Sequence, residues 1–343
     1  MQIAIKIARK FSPIGGGLNL SLFPSIESVL NLAPLSQVME DKVHAARKRF
    51  NDLQSTQKVL ILGPCSIHNL EADLLLAAKI RDLKNRFPEY HFIFRAHLEK
   101  PRSSHFWRGF LLDPDLDGTC NLKKGALQSR EFLLSLLEMG LDISYEFIDP
   151  FLAPFVQDLI TVGFIGARTV YSQTHRQLAA SLPMPVIFKN GLCGKLDGPL
   201  DAMQICKNGV ISPKLTASGP ELFWAKNEST HLMLRGDYDG SNFHLTQKAA
   251  ENIQQRGLSG KVFVDCAHQN SKKNIRLQKE VFERFLNHWP QKVQGLMVEC
   301  QRMEGNQPFD RCPKPGLSIT DPCLSIDTVE AVLESLQKEF CFS

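Results

Sequence analysis

Val59-Leu60-Ile61-Leu62-Gly63-Pro64-Cys65 is a short apolar run that ends in a residue able to bind a metal ion. The same pattern recurs seven more times, at residues 91–94, 142–145, 164–167, 185–188, 231–234, 262–264 and 295–298. Each of these runs is followed by a charged or metal-binding side chain, and stretches with helical spacing separate most of them. Alternating strands and helices indicate a parallel sheet. Eight such units predict an α/β fold, a (β/α)8 TIM barrel.

The segments between the runs predict helices because apolar residues recur at helical spacing. Asn69 is a plausible N-cap for a helix that begins at residue 70. Similar helices are predicted for residues 124–139, 172–181, 199–207, 246–256, 273–288 and 326–338. We expect an N-terminal arm and helical extension over residues 1–57, in which 1–17 form either an arm or a partly disordered terminus, and a catalytic barrel over 58–343. The longest irregular stretches are expected at 101–123 and 209–230.

The composition excludes several classes of protein. The chain has 343 residues, of which 43% are hydrophobic and 22% charged, which is ordinary for a globular protein. Its net charge of +4 is too small to indicate a nucleic-acid or membrane surface. No run approaches the ~20 apolar residues of a membrane span. Nine cysteines without a repeating spacing predict a reduced, cytoplasmic protein.

Six basic residues follow the predicted strands. Four end different strands and two lie in the loop after the second strand: Arg95, Arg168, Lys189, Arg235, Lys100 and Arg102. A barrel brings such residues to one mouth. A single basic residue at a strand end is usually a solvated surface group, but six at one mouth repel one another unless an anion binds. Arginine suits bidentate binding of carboxylate or phosphate, and lysine supplies a compact charge. The set predicts substrates that carry at least two such groups.

Four residues with metal-binding side chains also lie at strand ends or loops that a closed barrel brings together: Cys65, His268, Glu299 and Asp321. One thiolate, one imidazole and two carboxylates suit Mn, Fe, Co or Zn. No CxxC or HExxH spacing is present, so a buried inert cysteine and a hydrogen-bonded histidine remain the alternative. Glu146 follows the third strand beside the basic mouth. It is a counter-ion of Lys189 and Arg168, a proton-transfer group, or an ordinary ion-pair partner.

Seven strings of the sequence resemble one enzyme family. They are Gly-Pro-Cys-Ser-Ile-His at 63–68, Glu-Lys-Pro-Arg-Ser-Ser at 99–104, Ile-Gly-Ala-Arg-Thr at 165–169, Phe-Lys-Asn-Gly at 188–191, Leu-Arg-Gly at 234–236, Glu-Gly-Asn-Gln at 304–307 and Ser-Ile-Thr-Asp at 318–321. In this order they are similar to the class I 3-deoxy-7-phosphoheptulonate (DAHP) synthases, which are regulated by aromatic amino acids. The resemblance covers the chain from about Val59 to its C-terminus.

The resemblance implies a function and a set of roles. The family condenses phosphoenolpyruvate with erythrose 4-phosphate, using a divalent metal, as the first step of the shikimate pathway, and its members are homo-oligomers (dimers or tetramers). The implied metal ligands are the four residues given above. Phosphoenolpyruvate would meet Arg95, Lys100, Arg168, Lys189, Arg235 and the N–H of Ala167, and the sugar phosphate would meet Arg102 and Ser103. Lys100 and His268 are the implied proton-transfer residues, with Glu146 positioning water or tuning Lys189.

The sequence departs from the family pattern at several places. A Gly-Trp-Lys-Gly turn is replaced by Phe-Trp-Arg-Gly at 106–109, Thr-Asp-Gly by Leu-Cys-Gly at 192–194, and Asp237 stands where a second glycine is common. Residues 209–230 match poorly, and Pro183 stands where a small polar residue often contributes to the effector site. We therefore hypothesise that feedback by an aromatic amino acid is lost or changed.

Two other functions compete with this interpretation. One is 3-deoxy-octulosonate 8-phosphate synthase, a related barrel whose members typically carry Lys-Ala-Asn-Arg where this chain has Lys100-Pro101-Arg102-Ser103. The other is a non-catalytic barrel that binds anionic metabolites, which the altered turn and Asp237 would favour. A complete set of metal ligands argues against a protein that only binds.

Overall fold

The computed structural model describes residues 23–102 and 107–341, with the side chains of 336–341 excepted; the arm predicted for residues 1–17 lies outside them. Eight parallel strands close into a barrel, because the first strand also pairs with the last. They are β1 (Lys58–Gly63), β2 (Tyr90–Arg95), β3 (Asp142–Glu146), β4 (Val162–Ile165), β5 (Val186–Lys189), β8 (Thr230–Leu234), β9 (Val262–Asp265) and β10 (Val293–Gln301). The predicted (β/α)8 barrel is confirmed. The fourth strand begins and ends two residues before its predicted run, and the fifth begins and ends one residue after its predicted run.

The helices also fall where the spacing predicts them. They are α1 (Ile26–Leu32), α2 (Gln37–Asn51), α3 (Leu70–Arg86), α4 (Leu122–Glu138), α5 (Gln173–Ser181), α6 (Asp197–Asn208), α7 (Thr246–Gln255), α8 (Ile275–Asn287) and α9 (Ile326–Cys341), which follows the two-residue strand β11 (Leu324–Ser325). The Asn69 side chain accepts a hydrogen bond from the N–H of Ala72 and caps α3 as expected. Two 3-10 turns, Ala153–Phe155 and Gln157–Leu159, connect β3 to β4 instead of a helix.

The predicted irregular stretch at 209–230 is wrong, because most of it forms a hairpin. Strands β6 (Val210–Thr216) and β7 (Gly219–Ala225) pair antiparallel between β5 and β8, outside the barrel. Pro213 and Pro220 interrupt the sequence signal, since proline is depleted in strands and confined to edges. Both strands of this two-stranded sheet are edges, so both prolines are tolerated.

Helix α2 closes the amino end of the barrel. Phe50 is buried with the inward-facing residues of the strands, among them Val59, Ile93 and Phe263. Its ring stacks on Phe263 with centroids 5.9 Å apart and meets the edge of His231 at 5.4 Å. Burying this aromatic cluster leaves the opposite end of the barrel, where the strands terminate, as the mouth of the fold.

Buried arginines tie the first helices to the barrel. Arg47 on α2 donates to the carbonyls of Ile160 and Gln157, and Arg130 on α4 donates to the carbonyl of Ala33. The domain boundary between residues 57 and 58 stays a prediction, although β1 begins at Lys58. Over the described part of the chain, no helix combines the length and the apolar character that a membrane crossing requires.

Candidate active site

The carboxyl ends of the strands surround a cavity of about 80 Å³ whose walls are mostly charged. Five of the six predicted cations line it: Lys100, Arg102, Arg168, Lys189 and Arg235. They come from four separate strand ends and loops, so the closed barrel brings together residues that are far apart in sequence. Glu146, Ala167, His268 and Asp321 also line the cavity. Most of the predicted site residues therefore share one enclosed surface.

The sixth cation, Arg95, lies behind this surface. Its guanidinium is 1% exposed, forms an ion pair with Glu299 at 2.8 Å and donates to the carbonyl of Cys65 at 3.0 Å. Gly63 allows this packing, since a Cβ there would lie 2.6 Å from the carbonyl oxygen of Arg95. Arg95 thus holds two of the predicted metal ligands, and its contact with a substrate stays a prediction.

Lys189 is held between two buried carboxylates. Its ammonium lies 3.2 Å from Glu146 and 3.7 Å from Asp265, and all three side chains are buried. Burial raises the pKa of Glu146, but Lys189, Lys100 and Arg95 oppose it and lower that pKa to about 2. Burial likewise raises the pKa of Asp265, and His268 and Lys189 reverse this so that it falls below its usual range. Both carboxylates are therefore ionised at neutral pH.

Arg235 has an unsatisfied donor. Burial lowers the pKa of its guanidinium, with Asp265 opposing that shift. Its Nη1 is buried without a hydrogen-bond partner among the described residues. Buried polar groups normally have partners. A donor of this kind beside the cavity fits an anionic ligand.

Three of the four predicted metal ligands meet at one point. Ligand atoms of Cys65, Glu299 and Asp321 all lie within 4.8 Å of one another. His268 lies close by, with Nε2 3.8 Å from the Glu299 carboxylate. Burial and Glu299 raise the pKa of the Cys65 thiol. Cysteine, histidine and carboxylate donors are the set that borderline divalent ions accept.

A second set of residues orients these ligands. Asp265 contacts His268 Nδ1 at 2.7 Å and thereby leaves Nε2 directed toward Glu299. The Gln278 side chain exchanges two hydrogen bonds with the backbone of Glu299, and Lys273 pairs with Asp321 at 2.9 Å. Lys273, Lys100 and His268 outweigh burial and lower the pKa of Asp321 to about 2. The sequence interpretation missed Asp265, Gln278 and Lys273 in these roles; only the position of Asp265 at a strand end hinted at one.

Asparagines join the loops after β5 and β8. The Asn190 side chain accepts from the N–H of Arg235 and donates to the carbonyl of Gly236, while Asn242 accepts from the N–H of Gly236. Gly236 adopts φ +84°, and a Cβ there would lie 2.5 Å from the backbone nitrogen of Asn270. Asp237 accepts two N–H bonds within its own turn, from Asp239 and Gly240. These hydrogen bonds hold the Asp237 carboxylate within the turn and stabilise the conformation of the loop.

The loop after β2 carries Lys100 and Arg102. Lys100 Nζ donates to the carbonyl of Cys65 at 2.8 Å and lies 3.2 Å from its sulfur. Arg102 Nε donates to the carbonyl of Trp107. The indole N–H of Trp107 in turn donates to the carbonyl of Asp113. Ser103 lies outside the described residues, as do His105 and Phe106 of the turn that differs from the family pattern. The buried Trp107 fixes the turn beyond them.

Comparison with known proteins identifies one family. The sequence profile of the DAHP synthetase I family matches residues 50–334. The chain is 34% identical over 317 residues to a Trp-sensitive phospho-2-dehydro-3-deoxyheptonate aldolase of Enterobacter agglomerans, covering 88% of this chain and 90% of that protein. It is 33% identical over 322 residues to the Tyr-sensitive enzyme of Escherichia coli, covering 89% and 90%. The solved structure of the aldolase from Francisella tularensis superposes with a TM-score of 0.87 at 31% identity, covering 93% and 96%.

Proposed function

This chain belongs to the DAHP synthetase I family, and we propose that it is a 3-deoxy-7-phosphoheptulonate synthase. It would condense phosphoenolpyruvate with erythrose 4-phosphate to give DAHP and phosphate, the first step of the shikimate pathway. One observation carries the proposal: five cations line a single cavity that also contains His268 and Asp321 of the candidate metal centre. Neither competing function is favoured by the relatives, which are named as phospho-2-dehydro-3-deoxyheptonate aldolases.

The cations suit both charged groups of phosphoenolpyruvate. Arg168, Lys189 and Arg235 lie on the β4, β5 and β8 side of the cavity, with Ala167 beside them. Nη1 of Arg235, which has no hydrogen-bond partner among the described residues, can donate to a phosphate or carboxylate oxygen, and arginine binds such groups bidentately. Lys189 contributes a fixed charge because Glu146 and Asp265 hold it. Arg95 would contribute indirectly, because it contacts Glu299 and the Cys65 backbone and so orients two of the proposed metal ligands.

Cys65, His268, Glu299 and Asp321 would hold the divalent ion. Their donor set fits Mn, Fe, Co or Zn, and three of them already converge in the described structure. When bound, such an ion supplies Lewis-acid activation of the aldehyde oxygen of the sugar. Arg95, Gln278 and Lys273 keep the ligands in place through the contacts described above. Contacts of this kind typically change metal affinity 10–100-fold when removed.

The reaction forms a carbon–carbon bond, adds water and requires proton transfers. C3 of phosphoenolpyruvate attacks the aldehyde carbon, water adds at C2, and phosphate leaves with cleavage of its C–O bond. Lys100 can deliver a proton to the new hydroxyl, since its ammonium reaches the Cys65 side of the cavity. His268 is the second proton-transfer candidate, and Glu146, ionised beside Lys189, can orient the water. Arg102 would bind the phosphate of the sugar, together with Ser103.

A second cavity offers a site for the effector. About 220 Å³ of space lies between the β3–β4 connection, α5 and the β6–β7 hairpin, with mainly apolar walls that include Phe151, Pro154 and Leu178. Lys214 also lines it, and burial lowers the pKa of this lysine. We propose that an aromatic amino acid binds here through its ring and carboxylate, with a preference altered from that of its relatives. Titration with phenylalanine, tyrosine and tryptophan tests this: we expect inhibition that Lys214→Met abolishes. No inhibition by any of them would contradict binding at this cavity and would support the loss of feedback hypothesised from the sequence.

We also propose a cytoplasmic homo-oligomer, either a dimer or a tetramer. Ile211, Leu222 and Trp224 are exposed on the hairpin, and exposed apolar clusters commonly mark interfaces. The eight cysteines whose side chains the structure describes are all free, which suits a reducing compartment. Analytical ultracentrifugation would measure the assembly directly, and a monomer at micromolar concentration would contradict the proposal.

The deciding experiment uses the whole protein stripped of metal. It is mixed with phosphoenolpyruvate and erythrose 4-phosphate, Mn is added, and loss of the enol absorbance is followed. We expect metal-dependent consumption with erythrose 4-phosphate and none with arabinose 5-phosphate. Arg235→Gln should raise KM for phosphoenolpyruvate at least tenfold. Arg81→Gln, which removes an exposed charge on α3, should leave it unchanged. Consumption with arabinose 5-phosphate alone would support the octulosonate synthase, and binding without turnover would support the non-catalytic barrel.

A further inference from the structure

A buried tyrosine and a buried glutamate form a hydrogen bond directly behind the sugar-phosphate loop. Tyr145 Oη and Glu99 Oε1 form a hydrogen bond of 2.5 Å, and the other oxygen of Glu99 accepts from the N–H of Asp149 at 3.0 Å. Tyr145 is fully buried and Glu99 is 1% exposed. Neither side chain lines the charged cavity. Burying two such polar groups is costly unless they form a hydrogen bond with each other.

Each member of the pair is the chain neighbour of a residue in the site. Glu99 precedes Lys100, and Tyr145 precedes Glu146. The backbone around Glu99 is confined from the opposite side as well, because Lys100 donates its N–H to the carbonyl of Arg108 at 2.8 Å. A Cβ on Gly109 would lie 2.6 Å from the Cα of Glu99, so two backbone segments are already in close contact there. Segment 99–102 is thus fixed by the Glu99 side chain on one side and by residues 108–109 on the other.

We propose that Glu99 and Tyr145 are positioning residues that set the length of sugar phosphate accepted, an inference that rests on the proposed function. Lys100 contacts the Cys65 sulfur at one end of the segment, and Arg102 lies two residues further at its phosphate end. The segment therefore sets the separation between the aldehyde and the phosphate of the bound sugar. Displacing a substrate by about 1 Å can lower the rate 100-fold. A fixed segment favours one carbon-chain length, and a loosened segment discriminates less.

The charges around the pair explain which replacement is conservative. Burial raises the pKa of Glu99 to about 8, and Asp149 acts in the same direction, against the hydrogen bonds from Tyr145 and from the backbone N–H of Asp149 and Ile148. Burial, Glu99, Asp149 and Glu146 raise the pKa of Tyr145 well above 10. The pair is therefore uncharged at pH 7. In the uncharged pair the carboxyl donates to the Tyr145 hydroxyl, and only after Glu99 ionises does Tyr145 donate to it. Glutamine reproduces the uncharged form, because its NH₂ donates to Tyr145 while its oxygen accepts from the N–H of Asp149.

Three variants of the full-length enzyme test the inference. Tyr145→Phe removes one buried hydrogen bond at constant shape, Glu99→Gln retains the uncharged pattern, and Tyr90→Phe removes a hydroxyl at the opposite end of β2. We expect Tyr145→Phe to raise KM for erythrose 4-phosphate about fivefold, the equivalent of one hydrogen bond. KM for phosphoenolpyruvate should rise less than this, because Lys100 is only one of several cations expected to meet that substrate. The preference for erythrose 4-phosphate over arabinose 5-phosphate should narrow. Glu99→Gln and Tyr90→Phe should behave like the unmodified enzyme at pH 7.

A pH series keeps the test decisive if Tyr145→Phe fails to fold. In the unmodified enzyme, KM for erythrose 4-phosphate should rise above about pH 8 as Glu99 ionises, and Glu99→Gln should lack that rise. A parallel increase of both KM values, or an identical alkaline rise in Glu99→Gln, overturns the inference. Absence of turnover in the unmodified protein would refute the proposed function instead. Normal turnover with unchanged ratios in the variants would refute the positioning role alone.

Discussion

Replacing Glu146 by glutamine should destabilise the protein, because the substitution leaves a buried ammonium with one distant counter-ion. Lys189 is 2% exposed and lies 3.2 Å from Glu146, whereas Asp265 is 3.7 Å away and already contacts His268. Removing one partner of a buried pair commonly costs about 3–5 kcal/mol, because the other charge stays buried. Asp265 compensates in part, so we expect the lower end of that range.

The ionisation of Glu146 describes the same interaction with Lys189 and gives a similar magnitude. Its pKa falls from an ordinary 4.5 to about 2 in the folded protein, and a shift of this size corresponds to roughly 3 kcal/mol of stability at neutral pH. Because the folded-state pKa is the lower one, this stability is present above about pH 4.5 and is lost as the pH falls toward 2. For a chain of 343 residues, the entropy of unfolding converts about 3 kcal/mol into a Tm decrease of roughly 4 °C.

Thermal unfolding followed by circular dichroism measures this difference. At pH 7, Glu146→Gln should unfold about 4 °C below the unmodified protein, and the gap should narrow as the pH is lowered below about 4.5. Glu228→Gln is the matched control, since it removes a carboxylate that pairs with Lys226 on the surface. That variant should shift Tm by less than about 1 °C. A decrease at pH 7 no larger than the control, or a gap that does not change with acid, would refute the reasoning.

Three further predictions concern residues around the site and the barrel. Asp265→Asn should weaken Mn binding about 10–100-fold in a titration of the stripped protein, because it frees His268 and unbalances Lys189; unchanged affinity would rule out its orienting role. Burial lowers the pKa of His231 to about 3, so stability should fall as the pH drops below about 6.5, and His231→Gln should flatten the Tm profile between about pH 5 and 7. Gly236→Ala should lower the free energy of unfolding by well over about 1 kcal/mol, because the new Cβ meets both an unfavourable φ and a backbone contact. Gly140→Ala, with φ +76° and open space around it, should lower it by only the backbone strain of about 1 kcal/mol. Equal losses measured by chemical denaturation would contradict the contact argument.

The strands and helices could be predicted because each carries its own pattern. A run such as 59–62 is apolar on both faces, as a strand between the barrel interior and the helices must be. Asn69 and the apolar spacing after it define α3 without any knowledge of its neighbours. The β6–β7 hairpin lacked such a signal, since it lies outside the barrel, most of its residues are not buried, and prolines interrupt it. Its pairing comes from tertiary position rather than from periodicity.

The sequence allowed prediction of the site residues that carry a charge at a strand end or belong to a recognisable motif. Lys100, Lys189 and Arg235 were found because strand ends of a barrel converge. The partners of these residues could not be found, because they depend on distances between segments. Tyr145 and Glu99 are 46 residues apart, and Gln278 meets Glu299 only through the packing of α8 on β10. Such pairs leave no pattern in a single sequence.

The arrangement of counter-ions explains how the barrel tolerates this many cations before a substrate arrives. The acids lie behind or beside the cations: Glu299 neutralises Arg95, and Glu146 and Asp265 flank Lys189. Arg235, which lines the cavity, keeps a buried donor, Nη1, with no hydrogen-bond partner in the described part of the chain. The same acids also belong to the candidate metal centre or orient it, since Glu299 is a ligand and Asp265 holds His268. The charges that stabilise the mouth of the barrel are therefore the ones that would receive a metal ion and an anion, which links the stability of the mouth to its proposed chemistry.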